Sequence, residues 1–162
     1  MAKKPSIDKT NAMRILAASG LPHELHSYDC EAAISGVEVA ALLKQDPDHV
    51  FKTLVTVGKS GEHYVFMVPV AAELDLKKAA RACGEKAVSM VKSRELLPLT
   101  GYIHGGCSPI GMKKFFNTFI DETCILFDTI VFSGGRIGTQ IEMSFDDLSA
   151  LIEISAVDLV VD

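Results

Sequence analysis

The stretch "HVFKTLVTVGKSGEHYVFMVPV", residues 49–70, decides the fold. Two runs rich in β-branched and aromatic residues flank Gly58-Lys59-Ser60-Gly61, which is the composition of a β-hairpin. Side chains alternate along a strand, so Val50, Lys52 and Leu54 share one face of the first run while Phe51, Thr53 and Val55 take the other. Both faces are mostly apolar, as in a strand covered on both sides. Lys52 is the exception. An ammonium group there must snorkel, find a partner or line a cavity. It reads either as an edge lysine that guards against unwanted strand pairing or as a pocket lysine that holds an anionic or carbonyl group.

Working outward, "DKTNAMRILAASG" predicts a helix capped by Asp8 and ended by Gly20, followed by a strand in "HELHSY". Ser35 with Glu38 forms a capping box that opens a helix over 37–43, and Asp46-Pro47-Asp48 ends it. After the hairpin, Asp75 caps "LKKAARACG", "KAVSMV" reads as a strand, and Ser93 with "RELLPL" as a helical turn or two. "FFNTFID", "TIVFSG" and "TQIEM" are further strands, Ser144 with Asp147 caps "FDDLSALI", and "AVDLVV" closes as a strand. Hairpins outnumber βαβ units, which predicts an α+β fold with a mixed, mostly antiparallel central sheet and flanking helices.

Composition narrows the function. The 162 residues are 48% apolar and 23% charged, which is one ordinary soluble domain over residues 1–162. No apolar run reaches the ~20 residues of a membrane helix, and "MAKKPSIDKT" lacks the apolar stretch of a secretory signal. A cytoplasmic protein is expected. Cys30, Cys83, Cys107 and Cys124 form no C-x-x-C pair, so they read as reduced thiols, not zinc ligands. A net charge of −5 argues against a stand-alone binder of long nucleic acid. The run from Lys77 to Arg94 is basic, with Lys77, Lys78, Arg81, Lys86, Lys92 and Arg94 against only Glu85; it reads as a solvated helix face or a weak phosphate patch.

Two glycine loops carry the chemistry. "TGYIHGGCSPIGMKK" (100–114) and "SGGRIG" (133–138) can present consecutive backbone N–H groups to an anion or a developing oxyanion. Neither matches a phosphate-binding or dinucleotide-binding glycine pattern. Cys107 beside His104 raises a thiol nucleophile, but no orienting Asn or Asp lies nearby. His23 and His26 fall on opposite faces of a strand, a poor metal pair.

Taken in order, "FKTLV", "TGYIHGGCSPIGMKK", "IDE", "FDTIVFSGGRIGTQIEM" and the closing "DL" helix resemble the YbaK-type aminoacyl-tRNA deacylases, free-standing relatives of the editing domain inserted in bacterial prolyl-tRNA synthetase. The resemblance runs from "AMRILAASGLPHELHSYD" to "DLVVD" and is strongest to the branch that clears cysteine mischarged on proline tRNA. It implies a barrel-like sheet and cleavage of an aminoacyl ester at the tRNA 3′ end. Cofactor and metal are expected to be absent, and prolyl-tRNA synthetase is the expected partner. Lys52 stands at the family's essential lysine, and Gly105-Gly106 at the turn whose backbone lies against the substrate carbonyl. Tyr28, Thr53, Ser108, Pro109, Ser133, Gly134, Gly135 and Arg136 fall at substrate-binding positions. In this branch the substrate's own thiol is the proposed nucleophile. The second loop departs from the family's SGGKRG by reading SGGRIG, so Ile137 replaces one cation. Alternatives are a deacylase for alanine or another small amino acid, a non-catalytic tRNA-binding module, and a thiol hydrolase using Cys107.

Overall fold

The computed structural model describes residues 9–29 and 35–162. In chain order these form α1 (Asn11–Ser19), β1 (Glu24–Ser27), α2 (Gly36–Leu42), β2 (Phe51–Gly58), β3 (His63–Pro69), α3 (Leu76–Cys83), β4 (Val88–Met90), α4 (Ser93–Thr100), β5 (Asn117–Asp121), a 3-10 turn (Glu122–Leu126), β6 (Ile130–Arg136), β7 (Thr139–Met143), α5 (Phe145–Leu151) and β8 (Ser155–Val157). The α+β expectation is borne out, and the 49–70 hairpin is its centre. β2 and β3 pair antiparallel, with Lys52 opposite Val68 and Leu54 opposite Phe66.

Two sheets result. One has the order β1-β7-β6 and is antiparallel throughout. The other has the order β4-β2-β3-β5-β8, antiparallel across β4, β2 and β3 but parallel from β3 to β5 and from β5 to β8. A parallel bridge between Val50 and Val131 joins them, with the Val131 N–H donating to the His49 carbonyl at 2.9 Å. The main core lies where the inner faces of the two sheets meet: Phe51, Val55, Val65, Met67 and Ile120 from one, Ile130, Phe132, Ile141 and Met143 from the other. Leu16 of α1, Leu96 of α4 and Leu148 of α5 pack into it.

The second face of the larger sheet is also covered. Tyr64, Phe66 and Val68 pack against Ala79 and Ala80 of α3, with Leu54 alongside. This confirms that β2 has two apolar faces. Phe66 is fully buried and stacks on Phe119 at 5.4 Å between ring centroids. Phe66→Ala is therefore expected to destabilise the chain by about 3–5 kcal/mol in urea unfolding.

Local rules account for most element ends. Ser35 accepts the Glu38 N–H at 3.2 Å, Asp75 accepts those of Lys77 and Lys78, and Ser144 accepts that of Asp147 at 3.1 Å. Three details differ from expectation. Asp8 lies outside the described residues, and Thr10 caps α1 by accepting the Met13 N–H at 3.1 Å. α2 ends at Leu42, because Lys44 takes a left-handed φ of 56° before Asp46-Pro47 is reached. The last strand is short, since the Leu159 N–H donates to Asp121 Oδ1 at 2.9 Å and leaves the ladder. Among the described residues no helix is long and apolar enough to cross a membrane.

Candidate active site

β2 delivers Lys52 and Thr53 to a cavity of about 460 Å³. The hairpin register sets their height, and the Val50–Val131 bridge brings the smaller sheet alongside. Tyr28, His104, Gly105, Cys107, Ser133, Thr139 and Gln140 complete the polar part of the wall. Val39, Val70, Met90, Leu96 and Phe132 supply apolar surface, and Ser35 and Gly36 stand at the start of α2. Of the residues expected at catalytic or substrate-binding positions, five meet here, Lys52, Thr53, Tyr28, Gly105 and Ser133, together with the His104 and Cys107 pair; Gly106 does not line the cavity.

No carboxylate lines the cavity among the described residues. Burial pushes the Lys52 ammonium below its ordinary pKa, and the charge of Glu73 opposes that shift. Lys52 is thus a partly desolvated cation, stronger toward a developing negative charge than one in water.

The first glycine loop is a tight turn. The Gly106 N–H donates to the Ile103 carbonyl at 3.0 Å, and Gly105 has φ 84°, the backbone of a type II turn with glycine at its third position. Gly106 is required for a different reason. A Cβ there would lie 2.8 Å from Arg136 Cα and 3.0 Å from Ile137 N, so the two glycine loops touch backbone to backbone. With the Gly106 amide engaged inside the turn, the Gly105 amide is the member of the pair left without a partner in it.

Beneath the turn, Ser108 is fully buried and its Oγ accepts the Ile110 N–H at 3.3 Å; neither it nor buried Pro109 reaches the cavity wall. Cys107 does line the cavity, but burial pushes its thiol up to about 11, against a smaller opposing hydrogen bond involving Thr100. A thiol of that kind stays protonated near neutrality.

In the second loop only Ser133 lines the cavity. The Gly135 N–H donates to Ser133 Oγ at 3.1 Å, the Gly134 carbonyl accepts from Thr10 Oγ1, and Arg136 Nε donates to Thr139 Oγ1 at 3.3 Å. Gly134, Gly135 and Arg136 stand behind the wall, and of the three only Arg136 meets the Gly105-Gly106 turn, through its backbone against Gly106.

Gln140 and Thr139 of β7 and the start of α2 were not legible as cavity residues. Gln140 is held by Gln45, whose Nε2 donates to its Oε1 at 2.9 Å, a contact between residues 95 positions apart. Elsewhere, His26 Nε2 lies 2.6 Å from Glu142 Oε1, and with Glu24 these three groups come within 4.8 Å of one another, away from His23. Burial works against the Glu142 charge, but hydrogen bonds from Thr129 and His26 outweigh it and hold the carboxyl below its usual range. Part of the basic run is structural, since Lys78 bonds Asp158 and Asp162.

A mixed-sheet domain with a lysine and a glycine turn on one cavity defines the class: residues 31–151 match the aminoacyl-tRNA editing domain, and the chain belongs to that family. EbsC of Enterococcus faecalis, named as a proposed Cys-tRNA(Pro)/Cys-tRNA(Cys) deacylase, is 42% identical over 93% of this chain and 93% of its own length. Among solved structures, one described as a proposed trans-editing enzyme for prolyl-tRNA synthetase superposes with a TM-score of 0.82 at 24% identity, covering 99% of this chain and 100% of that one. A structure from work on epitope grafting onto scaffold proteins also gives 0.82 at 24% identity, covering 94% and 96%. At that identity the two structures speak for the fold alone.

Proposed function

We propose that this chain is a cytoplasmic trans-editing deacylase that removes cysteine from mischarged Cys-tRNA(Pro), and from Cys-tRNA(Cys) as the name of EbsC implies, with residues 1–162 acting as one editing domain. The observation that carries the reading is the single cavity shared by Lys52 and the Gly105 turn in a chain 42% identical to EbsC.

Among the described residues the wall supplies charge and position without a general base of the carboxylate type. This chemistry suits a substrate that brings its own nucleophile. The cysteinyl sulfur attacks its ester carbonyl, the S–C bond forms, and the carbon–oxygen bond to the ribose breaks. The thiol proton ends on the departing ribose hydroxyl, and the amino acid leaves as a cyclic thiolactone. Lys52 and the Gly105 amide stabilise the carbonyl oxygen as it becomes anionic. Alanine cannot follow this route at all. Pocket size alone separates residues differing by one small group only about 10–200-fold.

Deacylation of proline tRNA charged with cysteine, alanine or serine tests the reading. Cysteine release as the thiolactone is the expected result, with Cys107→Ala within about threefold of the parent because its protonated thiol takes no part. Faster release of alanine, or loss of activity in Cys107→Ala, contradicts it.

Prolyl-tRNA synthetase is the proposed partner. A chain of charge −5 gains little from counterion release on tRNA. Activity at low protein concentration is therefore expected to rise at least about tenfold when the synthetase presents the tRNA, the gain of an effectively raised local concentration. Equal turnover with and without it removes the partner from the scheme.

A further inference from the structure

β2 is paired on both edges only toward its ends. Its even-numbered residues face β3: the Val50 carbonyl accepts the Val70 N–H at 2.8 Å, and the Gly58 N–H donates to the Glu62 carbonyl at 2.8 Å. Its odd-numbered residues face the other way. The Val55 carbonyl accepts the Val91 N–H at 3.1 Å, and the Lys59 N–H beyond the strand donates to the Ala87 carbonyl at 3.0 Å. On this outer edge the β4 ladder begins only at Thr56 opposite Met90, and β6, though it runs alongside, forms a bridge only at Val50–Val131, just before the strand. Thr53 falls in the gap, so its N–H and carbonyl point out of the ladder on a strand that walls the cavity.

A second observation concerns its side chain. Thr53 Oγ1 is buried and has no hydrogen-bond partner, although Thr53 lines the cavity. Buried hydroxyls are nearly always hydrogen-bonded, and an unpartnered one on a cavity-lining residue is placed to bond a bound ligand.

We infer that Thr53 docks the aminoacyl group as though it were one residue of an antiparallel ladder. The inference rests on the deacylase reading and names the atoms that read the amino acid. An aminoacyl ester carries an amino group and a carbonyl on either side of one Cα, the same pair that a strand residue offers its opposite number. The Thr53 N–H donates to the ester carbonyl, whose second lone pair stays open to the loop amide. The Thr53 carbonyl accepts from the α-amino group, for which the described residues of the cavity wall provide no carboxylate.

Chirality and selectivity follow. Directly paired residues carry their side chains on the same face of a sheet. An L-aminoacyl side chain therefore points to the face of Phe51, Thr53 and Val55, beside Thr53 Oγ1, and a D side chain points to the face of Lys52. A thiol satisfies the orphaned hydroxyl; a methyl group does not.

The test uses 3′-deoxy-3′-(L-cysteinylamino)adenosine, an uncleavable amide mimic of the charged terminal adenosine, titrated into the full ¹⁵N-labelled chain. Exchange of the Thr53 amide hydrogen is expected to slow at least about tenfold at saturation, as for a newly hydrogen-bonded ladder amide. The D isomer and the analogue lacking the α-amino group are each expected to bind about tenfold more weakly, the effect of one lost hydrogen bond. Thr53→Val, which keeps the β-branched shape, is expected to weaken the cysteinyl analogue about tenfold and the alanyl analogue less than twofold, with Thr53→Ser restoring the difference. Binding that perturbs Lys52 and Gly105 but leaves Thr53 exchange unchanged, or equal affinity for the D isomer, overturns the ladder docking while the deacylase reading stands. No binding together with no cleavage of any charged tRNA overturns both.

Discussion

Lys52→Ala is expected to lower kcat/KM for Cys-tRNA(Pro) by about 10²–10³-fold, the loss typical of removing one preorganised charge from a reacting carbonyl. The lysine is positioned by backbone register, opposite Val68, on a strand whose next same-face residue, Leu54, packs into the core behind it. Its desolvation makes it effective and also makes it costly. Burial depresses its pKa below 10.5, with Glu73 pulling the other way. If the charged form is the active one, activity is full below the folded pKa and is lost as pH rises through it. That limb begins earlier than an exposed lysine would give.

Stability runs in the opposite direction. Between the depressed folded pKa and the ordinary value, the unfolded chain holds more protons than the folded one, so the free energy of unfolding rises with pH across that window. Lys52→Met removes both dependences. It is expected to be inactive yet no less stable than the parent at neutral pH, measured by urea midpoints and by deacylation rates on one preparation. An active or markedly unstable Lys52→Met identifies the residue as structural. Lys52→Arg keeps a charge but not its shape, and rescue is expected to be incomplete.

The second large effect is expected at Gly106. A methyl group there meets the backbone of Arg136 and Ile137 at 2.8–3.0 Å, and backbone cannot move aside as a flexible side chain does. The turn must lift from the second glycine loop. Overpacking of this kind costs about 1–3 kcal/mol, and displacing the Gly105 amide by about 1 Å lowers activity about 10²-fold. Gly61→Ala is the control: its φ is 90°, but nothing lies within 4 Å of the added methyl and the residue does not line the cavity. That variant is expected to lose stability, by about 1 kcal/mol, and to keep its activity. Equal activity losses in both variants place the Gly106 effect in general stability and not in the loop contact.

The readable parts of the chain were those governed by short-range rules. Alternation around Gly58-Lys59-Ser60-Gly61 specified the hairpin, and Ser35, Asp75 and Ser144 each capped the helix that follows them. Asp8 was expected to cap α1, but Thr10 does so, and its side chain also donates to the Gly134 carbonyl, 124 residues away, a contact that no local pattern shows. The parallel pairing of β3 with β5 was not legible, because α3, β4 and α4 intervene and no turn chemistry links the two strands. The site divided in the same way. Lys52 stood out as a charge in an apolar strand and the glycine loops as unusual backbone. Yet Gly106, Ser108, Pro109, Gly134, Gly135 and Arg136 lie off the cavity wall, while Gln140 lies on it.

By itself, the sequence determined the hairpin, the caps, the odd lysine and the presence of two glycine turns, since each depends on residues only a few positions apart. The contact between the turns, the glycine amide already engaged, and the absence of a ladder partner for Thr53 on the outer edge of β2 among the described residues came from the three-dimensional fold alone. Those outcomes depend on how two sheets meet at Val50 and Val131, a contact between distant segments that no local pattern encodes.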